Sequence, residues 1–245
     1  MSKQNREQTR TERAAAIRHQ QERKERNKRV AIAAGIVVLL AAIVAVGVQY
    51  SRGGSTAPRS SKSPAATVGD HSLLVGNDEN AKYRVVVYED FLCPYCRQFE
   101  QATRDFLRQD AAEGKVLVEY RPFHLLQDPY STRALNAWSA VLQKGTPAQA
   151  LKFHDLLYDN QPYENASTKP DNAKLKALAK QAGVTDASVL NAFDTADTSF
   201  FTAVQTAAKK ANVTGTPTIL VNGKPLTGSS VDDEAANLEK LIAGS

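Results

Sequence analysis

Phe91-Leu92-Cys93-Pro94-Tyr95-Cys96 is the stretch on which the reading of this chain turns. It holds the only two cysteines, spaced Cys-x-x-Cys. An apolar, largely β-branched run, Val85-Val86-Val87-Tyr88, comes before it. After it Phe99, Ala102, Thr103, Phe106 and Leu107 recur at helical spacing, while Arg97, Gln98, Glu100, Gln101, Arg104 and Asp105 fill the opposite face. The sulfurs are therefore expected at a strand-to-helix junction, with Cys93 at the helix start and Pro94 in the first turn, where proline is tolerated. First-turn N–H groups lack intrahelical partners and, with the helix dipole, favour an anion. A thiolate at Cys93 is stabilised there and becomes a competent nucleophile. Cys96, one turn on and facing inward, is placed to close a small disulfide ring, so the pair can take or give two electrons by thiol–disulfide exchange.

The competing meanings of Cys-x-x-Cys are half a zinc site and a structural staple. Zinc takes about four ligands. Beyond the cysteines the chain offers His19, His71, His124 and His154, none in a close His-x3–5-His pair, so no metal is expected. Staples occur in sets in small secreted folds. Redox chemistry is the expectation, with the Cys93–Cys96 pair itself as the redox group and no separate cofactor.

The 245 residues allow one good-sized domain with appendages. The net charge of +5 misleads, because residues 1–29 hold ten basic and four acidic side chains, leaving 21 basic and 22 acidic over the other 216. The body thus lacks the basic footprint of a nucleic-acid binder, and no nucleic-acid partner is expected. Val30 to Val48 is uncharged and apolar for 19 residues. As a helix it spans about 28 Å, matching the ~30 Å hydrocarbon core of a bilayer. Basic residues crowd its N-terminal side, so residues 1–29 are expected to be a cytoplasmic tail, residues 30–48 an uncleaved transmembrane anchor, and the rest extracytoplasmic. A cleaved signal peptide is disfavoured by the long n-region and apolar core. Residues 49–67, rich in Ser, Gly, Pro and Thr, read as a flexible tether reaching on the order of 25 Å.

The folded domain is expected over 68–245. His71–Leu74 reads as a short strand, Asn77–Asn80 as a turn and Tyr83–Tyr88 as a central strand. The helix after Cys96 ends near Ala112, with Gly114 as terminator, and Val116–Tyr120 is a second strong strand. Strand, helix, strand implies a parallel crossover. A helical stretch follows: Thr132–Gln143 with Trp138, a segment from Pro147 through Phe153 and Tyr158, then runs around Leu175–Ala179, Val189–Phe193 and Phe200–Ala211. His154, alone on a packing-rich segment, reads as structural. Thr216-Pro217-Thr218 leads into Ile219-Leu220-Val221, Asn222-Gly223 and Lys224-Pro225-Leu226, a hairpin pattern. A proline just before a strand marks an edge, a first position or a cis bond. Val231–Ile242 closes the chain as a helix, with Asp232 as its expected N-cap.

A strand into Cys93-Pro94-Tyr95-Cys96, a helical region, then Thr216-Pro217-Thr218 before an Asn-Gly hairpin: over roughly residues 70–244 this order resembles the DsbA-like branch of the thioredoxin superfamily, in particular membrane-tethered forms of Gram-positive bacteria. The resemblance implies an α/β thioredoxin fold with a helical insertion at about 125–195. It implies that Cys93 is the exposed nucleophile and Cys96 the resolving thiol, flanked by Pro94 and Tyr95. It implies that Pro217 is a cis-proline facing the disulfide, and that the Thr216 backbone pairs with an extended substrate segment. Many relatives carry a buried acid six residues before the first cysteine. Here that position is Val87, and the nearest acids, Glu89 and Asp90, fall on opposite faces of the strand. Tyr95 stands where the most oxidising members have histidine, which removes a positive charge near the thiolate.

The expected function is that of an extracytoplasmic thiol–disulfide oxidase acting on reduced or unfolded exported proteins and re-oxidised by a membrane redox partner. The alternative is a reductase or isomerase kept reduced by a membrane electron donor. A third class, a redox-inert binding module, is disfavoured by two intact cysteines. No dimerisation segment stands between tether and catalytic strand, so a monomer is expected. The sequons at Asn165 and Asn212 suit a bacterium, because a glycan on Asn212 would crowd the Pro217 loop.

Overall fold

The structure, a computed structural model, describes residues 64–76 and 80–244. The basic tail, the apolar run and most of the tether lie outside the described residues, as do residues 77–79 of the expected turn. Among the described residues no helix is long and apolar enough to cross a membrane.

Strand β1 (Ala66–Val68) and β2 (Leu73–Val75) form an antiparallel hairpin that the sequence reading missed in part. Ala66 and Thr67 fall inside the stretch read as tether, and His71 lies in the turn at φ 54° rather than in a strand. Strand β1 is half-exposed and short, so it carries no alternation to detect. Strand β3 (Tyr83–Glu89) leads to helix α1 (Pro94–Ala112) and strand β4 (Val116–Pro122), and β3 and β4 are parallel. Helix α1 stops where Gly114, at φ 77°, lets the chain reverse; Gly114 N–H bonds to Ala111 O and Lys115 N–H to Asp110 O, a Schellman closure.

Five α-helices follow before the chain returns to the sheet: α2 (Pro129–Lys144), α3 (Pro147–Asp159), α4 (Asn172–Gln181), α5 (Ala187–Asn191) and, after one 3-10 turn, α6 (Thr198–Lys210). Their starts are capped by Asp128, Thr146, Asp171, Asp186 and Asp197, each accepting from a backbone N–H in the first turn. Strands β5 (Thr218–Val221) and β6 (Lys224–Pro225) make the Asn-Gly hairpin, with Asn222 and Gly223 at positive φ as a two-residue turn requires. Helix α7 (Val231–Ala243) closes the chain; its N-cap is Ser230, not Asp232, because the Ser230 hydroxyl accepts from Asp233 N–H at 3.1 Å.

The mixed sheet runs β1-β2-β4-β3-β5-β6. Registers pair Val85 with Val118 and Val221, and Val87 with Tyr120 and Ile219, so these side chains share one face. All six are buried. Glu89 extends the same face from β3, two residues beyond Val87. Helix α1 turns Cys96, Phe99, Thr103, Leu107 and Ala111 inward. Two residues depart from the expected pattern: Ala102 is exposed, and Glu100, read as outward-facing, is 1% exposed.

Candidate active site

Three short structures converge on Cys93. Strand β3 ends at Glu89, and the Asp90-Phe91-Leu92 link turns the chain into α1 with Cys93 as its N-cap residue. Pro94 occupies the first turn, and the Cys93 carbonyl accepts the first helical bond, from Arg97 N–H at 3.2 Å. The Thr216–Pro217 peptide bond is cis, and it presents the Thr216 carbonyl 3.3 Å from Cys93 Sγ. Both cysteines are free thiols.

The link is held from beneath by a single carboxylate. Asp90 accepts from the backbone N–H groups of Leu92, Leu125 and Leu126, each at 2.9 Å, and from the Ser131 hydroxyl at 2.7 Å. Asp90 therefore ties the motif to the loop after β4 and to α2, and none of its capacity is left for chemistry. Gln161, just past α3, donates to the carbonyls of Phe91 and Cys93, both at 3.0 Å. The Phe91 ring packs against Trp138 and Tyr158. Helices α2 and α3 thus fix the motif's position.

The two sulfurs differ sharply. Hydrogen bonding from the Cys96 thiol, with smaller contributions from the Thr216 side chain nearby and the backbone N–H groups of Cys96 and Tyr95, outweighs burial and lowers the Cys93 pKa to about 6. At pH 7 such a group is roughly nine-tenths thiolate, against about a hundredth for a cysteine with a pKa near 9. Burial, then the neighbouring Cys93 sulfur, push Cys96 well above its ordinary range. One sulfur is an activated nucleophile and leaving group; the other holds its proton. Cys93 is less open than the resemblance implies, at 5% exposure, because the Pro217 loop covers it. Tyr95 beside it is 60% exposed. A groove of about 580 Å³ opens next to the motif, lined by Pro94, Arg97, Gln98, Gln101, Tyr163 and Glu164.

The structure also assembles a buried charged cluster that the sequence reading did not foresee. His154, read as mere packing, is fully buried with Nε2 2.7 Å from Glu89 Oε1. Its Nδ1 lies 3.6 Å from Asp155 Oδ1 and 3.8 Å from Glu100 Oε1. Arg104 bonds Glu100 at 3.0 Å, and Arg108 bonds Asp155. Glu100, His154 and Asp155 are metal-ligand types with donor atoms within 4.8 Å of one another. Two guanidinium groups already occupy the carboxylates, so a cation entering there would meet two positive charges. The signal available in the sequence was the strand alternation that put Glu89 on the Val87 face; its partner, 65 positions away, was not readable.

Comparison with known proteins bears on these observations. A family model described as Thioredoxin matches residues 69–242. The crystal structure of reduced DsbA from Mycobacterium tuberculosis is 30% identical, with a TM-score of 0.59, covering 72% of this chain and 94% of that one. Reduced DsbG, a disulfide bond oxidoreductase from the same organism, is 31% identical, with a TM-score of 0.57, over 69% of this chain and 82% of that one. Over 104 residues the chain is 29% identical to the serine/threonine-protein kinase PknE of M. tuberculosis, covering 40% of this chain and 18% of the kinase's length.

Proposed function

We propose, because this chain belongs to the DsbA-like branch of the thioredoxin superfamily and is a protein thiol–disulfide oxidoreductase, that it serves as an oxidase for exported proteins. The observation that carries this reading is the asymmetry of the two sulfurs. A Cys93 thiolate held at a pKa of about 6 stabilises the reduced pair, and a stabilised reduced form makes the disulfide a ready donor. In the forward reaction a substrate thiolate attacks Cys93 Sγ. The Cys93–Cys96 bond breaks, its electron pair goes to Cys96, and Cys96 takes up a proton. A second substrate thiolate then attacks the substrate sulfur of the mixed disulfide, and Cys93 leaves as a thiolate. The substrate is oxidised by two electrons and the enzyme pair is reduced by two. A membrane redox partner restores the disulfide.

Thr216 and Pro217 form the platform for the substrate chain, which adds to the loop as an extended strand and brings its sulfur to Cys93. The low-pKa sulfur sits under that loop, so productive attack requires the substrate to lie along it. Pro94 sets the first turn of α1, and Tyr95 is the exposed neighbour of the thiolate. The apolar run Val30–Val48, with basic residues before it, supports anchoring in the cell membrane with the catalytic domain on the outer side. The test is transfer of a disulfide to a reduced unfolded protein. Wild type oxidises it, Cys93→Ala does not, and Cys96→Ala accumulates a mixed disulfide at Cys93. Oxidation by Cys93→Ala at the wild-type rate contradicts the reading.

A further inference from the structure

The groove of about 580 Å³ beside the motif plays no part in the exchange between the two sulfurs. One wall is a single face of α1, carrying Pro94, Arg97 and Gln101 at helical spacing. The other is formed by residues 161–165, where the chain leaves α3. Both walls are fastened to the catalytic residue. The buried side-chain amide of Gln161 donates to the Cys93 carbonyl at 3.0 Å, and the Arg97 backbone N–H donates to the same carbonyl at 3.2 Å. The groove takes no residue from the Thr216–Pro217 loop, so it borders Cys93 as a second, separate surface.

Arg97 differs from every other arginine among the described residues. Arg84 and Arg121 pair with Glu119, Arg104 with Glu100 and Arg108 with Asp155, while Arg133 donates to the Pro170 carbonyl. Among these six, Arg97 alone has neither an ion pair nor a side-chain hydrogen bond, and its Nε is buried without a partner. A guanidinium carries its donors in a planar fork that a carboxylate matches with two oxygens. The groove does not provide that carboxylate. Gln101 and Asn165 are neutral, and Gln98 already donates to Asp232 of α7 at 2.8 Å. Glu164 is the one acid of the lining, and it stands exposed without pairing to Arg97. Tyr163, also exposed, adds an aromatic face. Such a lining suits an extended chain that brings a carboxylate with it.

We infer that this groove is a substrate subsite in which Arg97 receives an aspartate or glutamate side chain lying roughly two to four residues from the reacting cysteine of the substrate chain. The inference rests on the reading of Cys93–Cys96 as an exchanging dithiol. From Pro94 to Gln101 the α1 wall runs about 10 Å, at 1.5 Å per residue. An extended chain covers that length in roughly three residues at ~3.3 Å each, which sets the spacing. Recognition then has two sides. The Thr216–Pro217 loop takes the substrate backbone and reads no side chain, whereas Arg97 reads one charge. The covalent step is unchanged: the substrate thiolate attacks Cys93 Sγ, and the electron pair of the broken sulfur–sulfur bond goes to Cys96. Arg97 is a specificity-determining residue that meets the substrate away from the reacting atoms.

The test uses the oxidised full-length protein in detergent and reduced two-cysteine peptides that differ in a single residue, Asp or Asn, placed two, three or four residues to either side of the first cysteine. Oxidation rates are divided by the peptide thiolate concentration, which removes the acid's effect on the peptide's own thiol. Wild type is expected to prefer the Asp peptide roughly threefold to tenfold at one or more of these positions, the size of a partly sheltered ion pair. Arg97→Gln is expected to bring that ratio to about one, Arg97→Lys to keep part of it, and Arg97→Glu to invert it. An arginine that served only the fold or the Cys93 thiolate would change both peptides alike and leave the ratio as it was. A wild-type ratio of about one at every position, or a preference that survives Arg97→Gln, overturns the proposal. Should Arg97→Gln fail to fold, Arg97→Lys decides in its place through a reduced ratio at the same position. If wild type oxidises every peptide at one rate, the subsite alone falls; if it oxidises none, the oxidoreductase reading falls and takes the subsite with it.

Discussion

Replacing Cys96 by alanine should raise the pKa of Cys93 without touching the backbone that surrounds it. The Cys96 thiol is the strongest of the influences that hold the Cys93 thiolate, ahead of Thr216 and the two backbone N–H groups. A hydrogen bond to a charged group contributes about 1.5–3 kcal/mol. At 1.36 kcal/mol for each tenfold change in proton affinity, its loss moves Cys93 from about 6 to roughly 7–8. The value stays below 9 because the N–H groups of residues 95 and 96 survive the substitution. Cys96→Ser, whose hydroxyl still donates, should fall between alanine and wild type. The assay is the pH dependence of iodoacetamide alkylation at Cys93, checked by thiolate absorbance at 240 nm. A midpoint still near 6 in Cys96→Ala would show that the helix terminus alone holds the thiolate. A wild-type midpoint near 9 would refute the thiolate argument altogether.

Three further outcomes are expected. Asp90→Ala strands three backbone N–H groups and the Ser131 hydroxyl, at about 1–3 kcal/mol each, so urea titration should show a loss of ~4 kcal/mol or more. The His154 contribution to stability is complete below its ordinary pKa of 6.5 and is lost as pH rises towards about 10. In reduced protein Cys93 acts oppositely, gaining stability from pH 6 to 9, so the measurement belongs in a Cys93→Ser background. There the unfolding free energy should fall between pH 6.5 and 9, and His154→Gln should flatten that fall; an unchanged slope contradicts the ion pair. Tyr95→His places a titratable cation beside Cys93, which should lower its pKa below 6 and shift the glutathione equilibrium towards the reduced pair by roughly threefold to tenfold.

The parts of the fold that could be read from sequence are those whose signal is local. Val85-Val86-Val87 announces a central strand, and Gly114 ends α1. Cys93-Pro94-Tyr95-Cys96 marks the helix start, and Asn222-Gly223 marks the hairpin. What escaped is non-local or too short. Strand β1 has three residues and exists because β2 pairs with it. Ser230 outcompetes Asp232 as a cap by one turn geometry against another. Glu100 reads as a surface residue by polarity, and it is buried because Arg104 and α3 cover it. His154 is the sharpest case: nothing around it in sequence hints at Glu89, and the pairing arises only when the inserted helices fold onto the sheet.

The reduction potential of the Cys93/Cys96 pair in the full-length protein, equilibrated against glutathione, tests the central claim most directly. Superfamily members span from about −120 mV for strong oxidants to about −270 mV for reductants. A Cys93 thiolate held at a pKa of about 6, against about 7 for the −270 mV reductants, predicts a value displaced from −270 mV towards the disulfide-donating side by roughly 30–40 mV or more. A value near −270 mV would contradict the oxidase account, because the pair would then keep its disulfide rather than pass it to a substrate.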